Sequence, residues 1–461
     1  MSLVYNGTEG KPDAGYSTHV SDLNLFYDAA DMCWVMISSA LVLLMIPGVG
    51  FFYAGLARRK SALHVLFMVM LVCCVACFQW FFWGFSLTFA GNGSSFLGDL
   101  GNFGFRDVLA QPSGPVPQIL FALFQGMFAM ITPALAIGAI ADRGRVLPAV
   151  VFTFIWCTVV YDPVAYWTWN SNGWMYKKGS LDFAGGGPVH MTSGIAALAY
   201  SLVLGRRTGY SKMHGLPYRP HNVTHIMLGT VLLWVGWFGF NGGSALASNL
   251  RAIMACFVTN LAAAVGGITW CLLDLRLEKK WSCVGFCSGV VAGLVAITPG
   301  AGFVTPWASF VFGVVGAVVC NFGTKVKFLV GIDDALDVFA LHGIGGFAGN
   351  VMTGIFADKQ MAALDGTEIP GGWVEGHYVQ LGWQLAGSMA ILGWVFTVTC
   401  IILFAMNMVP GLQLRVTAEE EEMGLDDAQL GEFAYDYVEV TRNISGMPPA
   451  SPIGSMPEKA V

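Results

Sequence analysis

DFAGGGPVHMTSG, residues 182–194, recurs in outline as DALDVFALHGIGG, residues 334–346. In each stretch an aspartate precedes a histidine by eight residues, and a glycine follows that histidine by four. A shorter match, Ile-Thr-Pro, occurs at 131–133 and again at 297–299. Internal self-similarity of this kind is the signature of a repeat architecture. The sequence therefore predicts two structural repeats, each with one histidine at an equivalent position.

The amino-acid composition is that of a membrane protein. Hydrophobic residues make up 55% of the 461 residues and charged residues 11%, whereas charged residues form about 25% of an ordinary globular chain. The formal net charge is -6, but ten of the acidic residues lie after residue 408. This distribution predicts a separate acidic tail and argues against a nucleic-acid partner.

Apolar runs of the length that crosses a bilayer, about 17 to 25 residues, mark the candidate spans. The eighth run is the shortest and the weakest. We predict an all-α polytopic membrane protein with eleven transmembrane helices, at 33–56, 63–89, 117–141, 146–167, 188–204, 225–244, 253–273, 283–297, 306–322, 338–356 and 381–408.

The loops between these runs carry basic residues unequally. Fourteen Lys and Arg residues fall on one set of alternate loops, and six fall on the opposite side. The positive-inside rule then places the N-terminus outside and the C-terminus inside. We predict an extracellular segment at 1–32, a transmembrane domain at 33–408, a cytoplasmic tail at 409–440 and a disordered end at 441–461. Asn6, on the outer side, begins a glycosylation sequon.

Two repeats of five spans each must point opposite ways across the membrane. Such five-plus-five inverted repeats are common in transporters, whose substrate path lies at the repeat interface. His190 and His342 then meet near the bilayer midplane on antiparallel helices. An ionisable side chain at that depth is costly and indicates function. The alternative is a pair of neutral core histidines that satisfy each other or the backbone.

A neutral imidazole has one hydrogen-bond donor and one acceptor, so two adjacent rings can bond to each other and to a small passing molecule. Ammonia fits this description. Ammonium loses its proton when dehydration disfavours the charged form, and the histidines can accept or relay that proton. Potassium has no proton to lose. We therefore predict ammonium as the substrate.

Aromatic side chains are expected to recruit the cation, because a ring face attracts it by about 0.5 to 2 kcal/mol. Candidates are Phe128, Trp167 and Phe240, with Ser244 as a hydrogen-bond acceptor. Most aromatic residues in such a chain only pack in the core or against lipid, so sequence cannot select among them. Asp182 either caps the fifth span or binds the cation, and capping is favoured. Asp334 is its partner in the second repeat.

The motifs DFAGGGPVH, FALHGIGG, FQGMFAMITPA and WFGFNGGSA together resemble the Amt/Mep/Rh ammonium transporter family, over roughly residues 31–437. With two intramembrane histidines and an acidic tail, the chain is most similar to the fungal high-affinity type that also signals nitrogen status and pseudohyphal growth. The resemblance implies a homotrimer in the plasma membrane, with eleven helices and one pore in each subunit. It implies no cofactor and no metal.

Residue roles carry over from the resemblance position by position. In the Trp-rich loop at 166–174, Trp169 and Trp174 remain open alternatives to Trp167. The resemblance implies a twin-His pair at His190 and His342, a phenylalanine gate at Phe128 and Phe240, an outer ammonium site at Trp167 and Ser244 with Phe128, a structural acid at Asp182, and a pore-lining indole at Trp237.

The tail from residue 411 resembles the family's cytoplasmic regulatory segment. Gly424 and Asp426 match its turn, and the segment is expected to contact the inner face and a neighbouring subunit. Arg442 precedes Ser445 by three residues, a spacing that basophilic kinases accept, so phosphorylation of Ser445 is expected to shift the tail.

Three other functions are alternatives to transport. An ammonium receptor would signal through the tail without needing flux. A neutral gas channel of the Rh type is disfavoured by the paired aromatic and serine recruitment motif. An intramembrane metalloenzyme is disfavoured because no third Cys, Asp or Glu ligand lies at helical spacing from either histidine. We therefore expect no enzymatic activity.

Overall fold

The chain folds as a bundle of helices that coincide with the predicted spans. The computed structural model describes residues 23–210 and 219–435, and within these ranges every predicted apolar run is helical. We number the main helices α1 (Ala29–Leu56), α2 (Ala62–Gln79), α3 (Gln118–Ala136), α4 (Val146–Trp156), α5 (Thr192–Leu204), α6 (Val223–Gly242), α7 (Leu250–Glu278), α8 (Cys283–Ile297), α9 (Pro306–Gly323), α10 (Gly345–Phe356) and α11 (Val379–Met408).

Nine helical segments of the described chain are long and apolar enough to cross a membrane. The two remaining helices are shorter: α8 has 15 residues and α10 has 12. The protein is therefore a helical polytopic membrane protein. Asn6, Ser445 and the segment 441–461 lie outside the described residues.

Shorter elements extend or connect the main helices. A two-residue hairpin of strands β1 (Pro112–Ser113) and β2 (Val116–Pro117) departs from the all-α prediction. Short α-helices lie at Phe85–Phe89, Asp162–Trp169, Trp174–Lys177, Val326–Val330, Lys359–Ala362 and Ala418–Met423. Turns of 3-10 helix lie at Leu23–Phe26, Arg59–Ser61, Phe103–Phe105, Ile137–Ile140, Gly243–Ala245, Ala363–Asp365 and Trp373–Glu375, and π-turns lie at Trp80–Gly84, Cys157–Tyr161, Gly186–Met191, Phe339–Ile344 and Asp426–Leu430.

The two predicted repeats share a π-turn that bears the histidine and precedes a main helix. A π-turn, Gly186–Met191, leads into α5, and a second π-turn, Phe339–Ile344, leads into α10. Each π-turn contains the histidine of its repeat. The extra residue in such a turn rotates the side chains that follow it, and π-turns are frequent at functional sites.

Glycines let these two segments cross at close range. A Cβ atom on Gly194 would lie 2.5 Å from Gly343 Cα, and one on Gly346 would lie 2.7 Å from the carbonyl oxygen of Gly186. Both distances are shorter than real Cβ contacts allow. Small residues are used in this way where membrane helices pack backbone to backbone. The glycine four residues after each histidine therefore sets the distance between the two repeats.

Candidate functional site

The two repeat histidines are in direct contact. Nδ1 of His190 and Nδ1 of His342 are 3.2 Å apart, and the ring centroids are separated by 5.3 Å. Both side chains are buried. At this distance one ring donates its N–H and the other accepts it. The structure thus brings together the pair that the repeat predicted.

Asp182 adopts the capping geometry that was favoured from sequence. Its carboxylate accepts hydrogen bonds from the backbone N–H groups of Gly185, Gly186 and Gly187, at 2.7, 2.8 and 2.6 Å. These bonds satisfy the free donors at the start of the π-turn. Because three donors already occupy its oxygens, this carboxylate is poorly disposed to hold a cation as well.

Asp334 holds the equivalent place in the second repeat. Its Oδ2 accepts a bond of 2.9 Å from the N–H of Phe339, five residues later. Asp182 likewise bonds to Gly187, five residues later. Each aspartate therefore accepts the N–H five residues later in its π-turn, but Oδ1 of Asp334 has no hydrogen-bond partner among the described residues, whereas both oxygens of Asp182 are bonded.

A narrow apolar cavity adjoins the histidine pair. Its walls come from both repeats, so the cavity lies at the repeat interface. Nε2 of His190 has no hydrogen-bond partner among the described residues and is available to a molecule in the cavity. The lining residues are Met45, Val49, Phe52, Tyr53, Ile131, Leu135, His190, Leu233, Trp237, Val291 and His342.

Trp237 fixes the orientation of His190. The two rings stack at 5.3 Å with an interplanar angle of 22°, and the indole Nε1 donates a 2.9 Å hydrogen bond to Thr298 Oγ1. No sequence signal singled out Thr298 for this contact, although its Ile-Thr-Pro motif marked the repeat. His190 of the first repeat is therefore stacked against an indole of the second repeat, and that indole is held by Thr298 at the end of α8 in the same repeat.

Phe128 and Phe240 form a closed pair above the histidines. Their ring centroids are 4.4 Å apart, and each side chain is at most 1% exposed. The ring of Phe240 also lies 5.8 Å from that of His190. Ser244 is half-buried nearby, and its hydroxyl donates a 2.8 Å bond to the carbonyl oxygen of Phe240.

The tryptophan that contacts Phe128 is Trp169, one of the two alternatives to Trp167 that the sequence leaves open. The indole of Trp169 meets the ring of Phe128 edge-on at 5.9 Å, and its Nε1 donates a 3.1 Å bond to the carbonyl oxygen of Asp182. Trp167 instead donates to the carbonyl oxygen of Phe96. Its ring packs against Phe96, Trp174 and Trp394. Trp174 therefore also belongs to that outer cluster.

The acidic tail folds back onto the ends of the bundle. Gly424 has φ +113°, and a Cβ there would lie 2.6 Å from the carbonyl oxygen of Lys60, so this position requires glycine. Asp426 accepts bonds from the N–H groups of Leu63 and His64, at 3.3 and 2.8 Å. The tail thus caps the start of α2.

A buried ion-pair network links this tail to the loops. Arg207 bonds to Asp333 and to Asp142, each at 2.8 Å. Glu421, from the tail, bonds to Arg415 at 2.8 Å and lies 3.8 Å from Arg58. Arg58, Asp142, Arg207 and Asp333 come from loops far apart in the sequence, so no spacing predicts their contacts with each other or with the tail.

The network changes the ionisation of its carboxyl groups. Burial alone would raise the pKa of Asp333, but the hydrogen bonds and charge of Arg207 lower that pKa to about 2. The same arginine, together with Arg58, lowers the pKa of the buried Asp142. Both carboxylates are therefore ionised across the physiological range.

The fold and this geometry define a polytopic membrane protein with a buried histidine pair beside an apolar cavity. The Ammonium Transporter Family model matches residues 33–435, and the chain belongs to this family. It is 57% identical over 425 residues to Ammonium transporter 1 of Schizosaccharomyces pombe, covering 91% of this chain and 85% of that protein. It is 49% identical over 445 residues to Ammonium transporter MEP2 of Saccharomyces cerevisiae, covering 95% and 89%. The crystal structure of Candida albicans Mep2 superposes with a TM-score of 0.83 at 55% identity, covering 90% of this chain and 92% of that one.

Proposed function

We propose that this protein carries ammonium across the membrane and separates it, at the histidine pair, into ammonia and a proton. The observation that carries this proposal is the 3.2 Å contact between the buried rings of His190 and His342, at the edge of an apolar cavity. Family membership over residues 33–435 supports the choice of substrate.

Recruitment begins at Trp169, Phe128 and Ser244. A cation that approaches Phe128 meets the ring of Trp169 as well, and a desolvated cation gains about 2 kcal/mol from such a ring. The hydroxyl of Ser244 already donates to the backbone, so its lone pairs face outward as acceptors for ammonium N–H groups.

Passage through the gate requires Phe128 and Phe240 to separate, after which the solute enters an apolar space. Ammonium has a pKa close to that of a lysine ammonium, about 10.4 in water. Removal of water disfavours the charged form, so ammonia is the species that remains in the cavity. Potassium is rejected because it cannot become neutral and the lining residues include no cage of carbonyl oxygens.

The histidine pair handles the proton. The Nδ1 atoms of the two rings are within hydrogen-bond distance, so a proton accepted by one imidazole can be passed to the other. Ammonia moves along the apolar wall, and the proton follows through the rings.

We place eleven spans in the membrane, with the N-terminus outside, the C-terminus inside and two inverted repeats of five spans. Support for the two shorter spans comes from α8 and from α10 with its preceding π-turn. We further propose a homotrimer in the plasma membrane, as the family resemblance implies. The segment 409–440 then forms a cytoplasmic regulatory tail.

A role in nitrogen sensing is the second candidate function. The docked tail supports it, because Asp426 and Glu421 connect the tail to the loops at the ends of the spans. A kinase that phosphorylates Ser445 would change the charge of this tail. Truncation after residue 437 separates the two roles: intact uptake with lost nitrogen signalling supports sensing, and lost uptake supports gating alone.

Uptake in cells that lack their own ammonium transporters tests the main proposal. We expect saturable ammonium uptake that potassium does not inhibit. Currents in reconstituted vesicles then report whether the proton crosses with the ammonia. Absence of ammonium-dependent flux in both assays would refute transport and favour the hypothesis of an ammonium receptor.

A further inference from the structure

A buried glutamine on α11 holds the segment that precedes the first π-turn. Gln384 is 2% exposed. Its Oε1 accepts the N–H of Leu181, and its Nε2 donates to the carbonyl oxygen of the same residue, both at 2.7 Å. The hydroxyl of Ser180 donates to Oε1 as well, at 3.0 Å. One side chain thus satisfies both backbone groups of Leu181, as a neighbouring strand would.

The residue after Leu181 connects this grip to the outer aromatic site. The carbonyl oxygen of Asp182 accepts the indole N–H of Trp169 at 3.1 Å, and Trp169 packs edge-on against Phe128. The position of that carbonyl oxygen therefore determines where the indole sits relative to the gate.

The carbonyl oxygen of Asp182 belongs to the Asp182–Phe183 peptide, and the chain is held on both sides of Asp182. The N–H of Phe183 is held by the carbonyl oxygen of Pro299 at 3.0 Å, and the Asp182 side chain is directed toward the π-turn. Both contacts act on the chain after the Leu181–Asp182 peptide. Gln384 acts on the Leu181–Asp182 peptide itself, through the carbonyl oxygen of Leu181, and on the preceding peptide, through the N–H of Leu181. It therefore anchors the side of Asp182 that Pro299 does not reach.

From this geometry we infer that Gln384 is a positioning residue for ammonium recruitment, which places Trp169 against Phe128 through the backbone of Leu181 and Asp182. The inference rests on the proposed function, in which Trp169 and Phe128 form the outer site. Gln384 itself contacts neither ring and does not line the cavity. A change at Gln384 should therefore alter KM for ammonium uptake and leave Vmax unchanged.

Gln384→Met tests this inference, because methionine has a similar volume and length but lacks both hydrogen-bonding groups. We expect KM for ammonium uptake to rise about fivefold, the change that corresponds to one lost hydrogen bond, while Vmax per transporter at the membrane stays near the wild-type value. Gln384→Asn, which keeps the amide but is shorter by one methylene, should raise KM by less.

Thr399→Val is the matched control. Thr399 is a buried polar residue on the same helix, and its Oγ1 accepts the indole N–H of Trp156 at 3.0 Å. The variant loses a buried hydrogen bond far from residues 181–183, so its KM should not change even if the protein becomes less stable. A rise in KM in this control equal to that in Gln384→Met would overturn the inference.

Trp169→Ala, measured in the same assay, separates the inference from the proposed function. If Trp169→Ala leaves KM unchanged, the proposed outer site fails and the positioning role falls with it. If Trp169→Ala raises KM and folded Gln384→Met does not, only the positioning role is refuted. Should Gln384→Met fail to reach the membrane, Gln384→Asn decides the question, since an unchanged KM in that variant also refutes the role.

Discussion

Replacement of Gly194 by alanine tests whether the crossing of the two repeats holds the histidine pair in register. The added Cβ would lie 2.5 Å from Gly343 Cα and 2.9 Å from the carbonyl carbon of His342. Ordinary contacts begin near 3.4 Å, so the two backbones have to separate by about 1 Å. Both neighbours are backbone atoms, so rotation of a flexible side chain cannot relieve the contact.

The separation acts directly on the histidines. Their Nδ1 atoms are 3.2 Å apart, and an added 1 Å takes them beyond the range of a hydrogen bond. A misplacement of about 1 Å in reacting groups costs on the order of a hundredfold in rate. We therefore expect the ammonium uptake rate per transporter to fall by about that factor in Gly194→Ala.

The assay is ammonium uptake in cells that lack endogenous transporters, normalised to the amount of protein at the membrane. Gly393→Ala is the control, because α11 leaves open space around that position, and its uptake should match wild type. Normal uptake by Gly194→Ala, at normal protein levels, would refute the idea that close backbone packing at this glycine sets the geometry of the pair.

Three further perturbations test other parts of the molecule. His342→Ala removes the partner of His190 and should abolish selective ammonium uptake, whereas His190→Glu should keep some uptake with altered rate or ion selectivity; wild-type exclusion of potassium by His342→Ala would contradict the proton-handling role. Arg207 holds the pKa of Asp333 at about 2 against an ordinary 3.8, so the ionised carboxylate adds about 2 kcal/mol of stability that is complete above about pH 4 and lost as pH falls through about 2. The melting temperature of purified Asp333→Asn should therefore be lower than wild type at pH 7, with a gap that narrows toward pH 3, and a gap independent of pH would contradict this account. Gly424→Ala forces a side chain into a position with φ +113° that faces Lys60, and it should release the tail, measured as faster proteolysis after residue 409; unchanged proteolysis would show that the turn tolerates a Cβ.

The spans and the histidine pair could be predicted because each depends on a pattern within the sequence. The length of a span follows from the thickness of the bilayer. The equal spacing around His190 and His342 places the two histidines at equivalent positions of the two repeats. The hairpin at residues 112–117 follows from no such pattern. Its two-residue strands are too short for an alternation of polar and apolar residues to be visible.

Which tryptophan contacts Phe128 could be seen only in the structure. Trp167, Trp169 and Trp174 lie in one aromatic loop, and composition does not distinguish them. They differ in the backbone oxygen that accepts the indole N–H. Trp169 donates to the carbonyl oxygen of Asp182, whereas Trp167 donates to that of Phe96. The partners of Asp333 were equally hidden, because Arg207 and Arg143 approach it from two different loops.

The equivalent carbonyl oxygen in the two repeats has different partners, so the two repeats differ chemically at this position. The carbonyl oxygen of Asp182 accepts the indole N–H of Trp169, whereas that of Asp334 accepts the ammonium group of Lys327 at 3.2 Å. An indole face attracts a cation. At the corresponding place in the second repeat, Lys327 is paired with Asp337 at 2.6 Å, and this ion pair offers no aromatic face to a cation. An inverted repeat with identical ends would bind ammonium equally from both sides. Under the proposed function, the end with the aromatic partner, which we assign to the outside, is therefore the recruiting end.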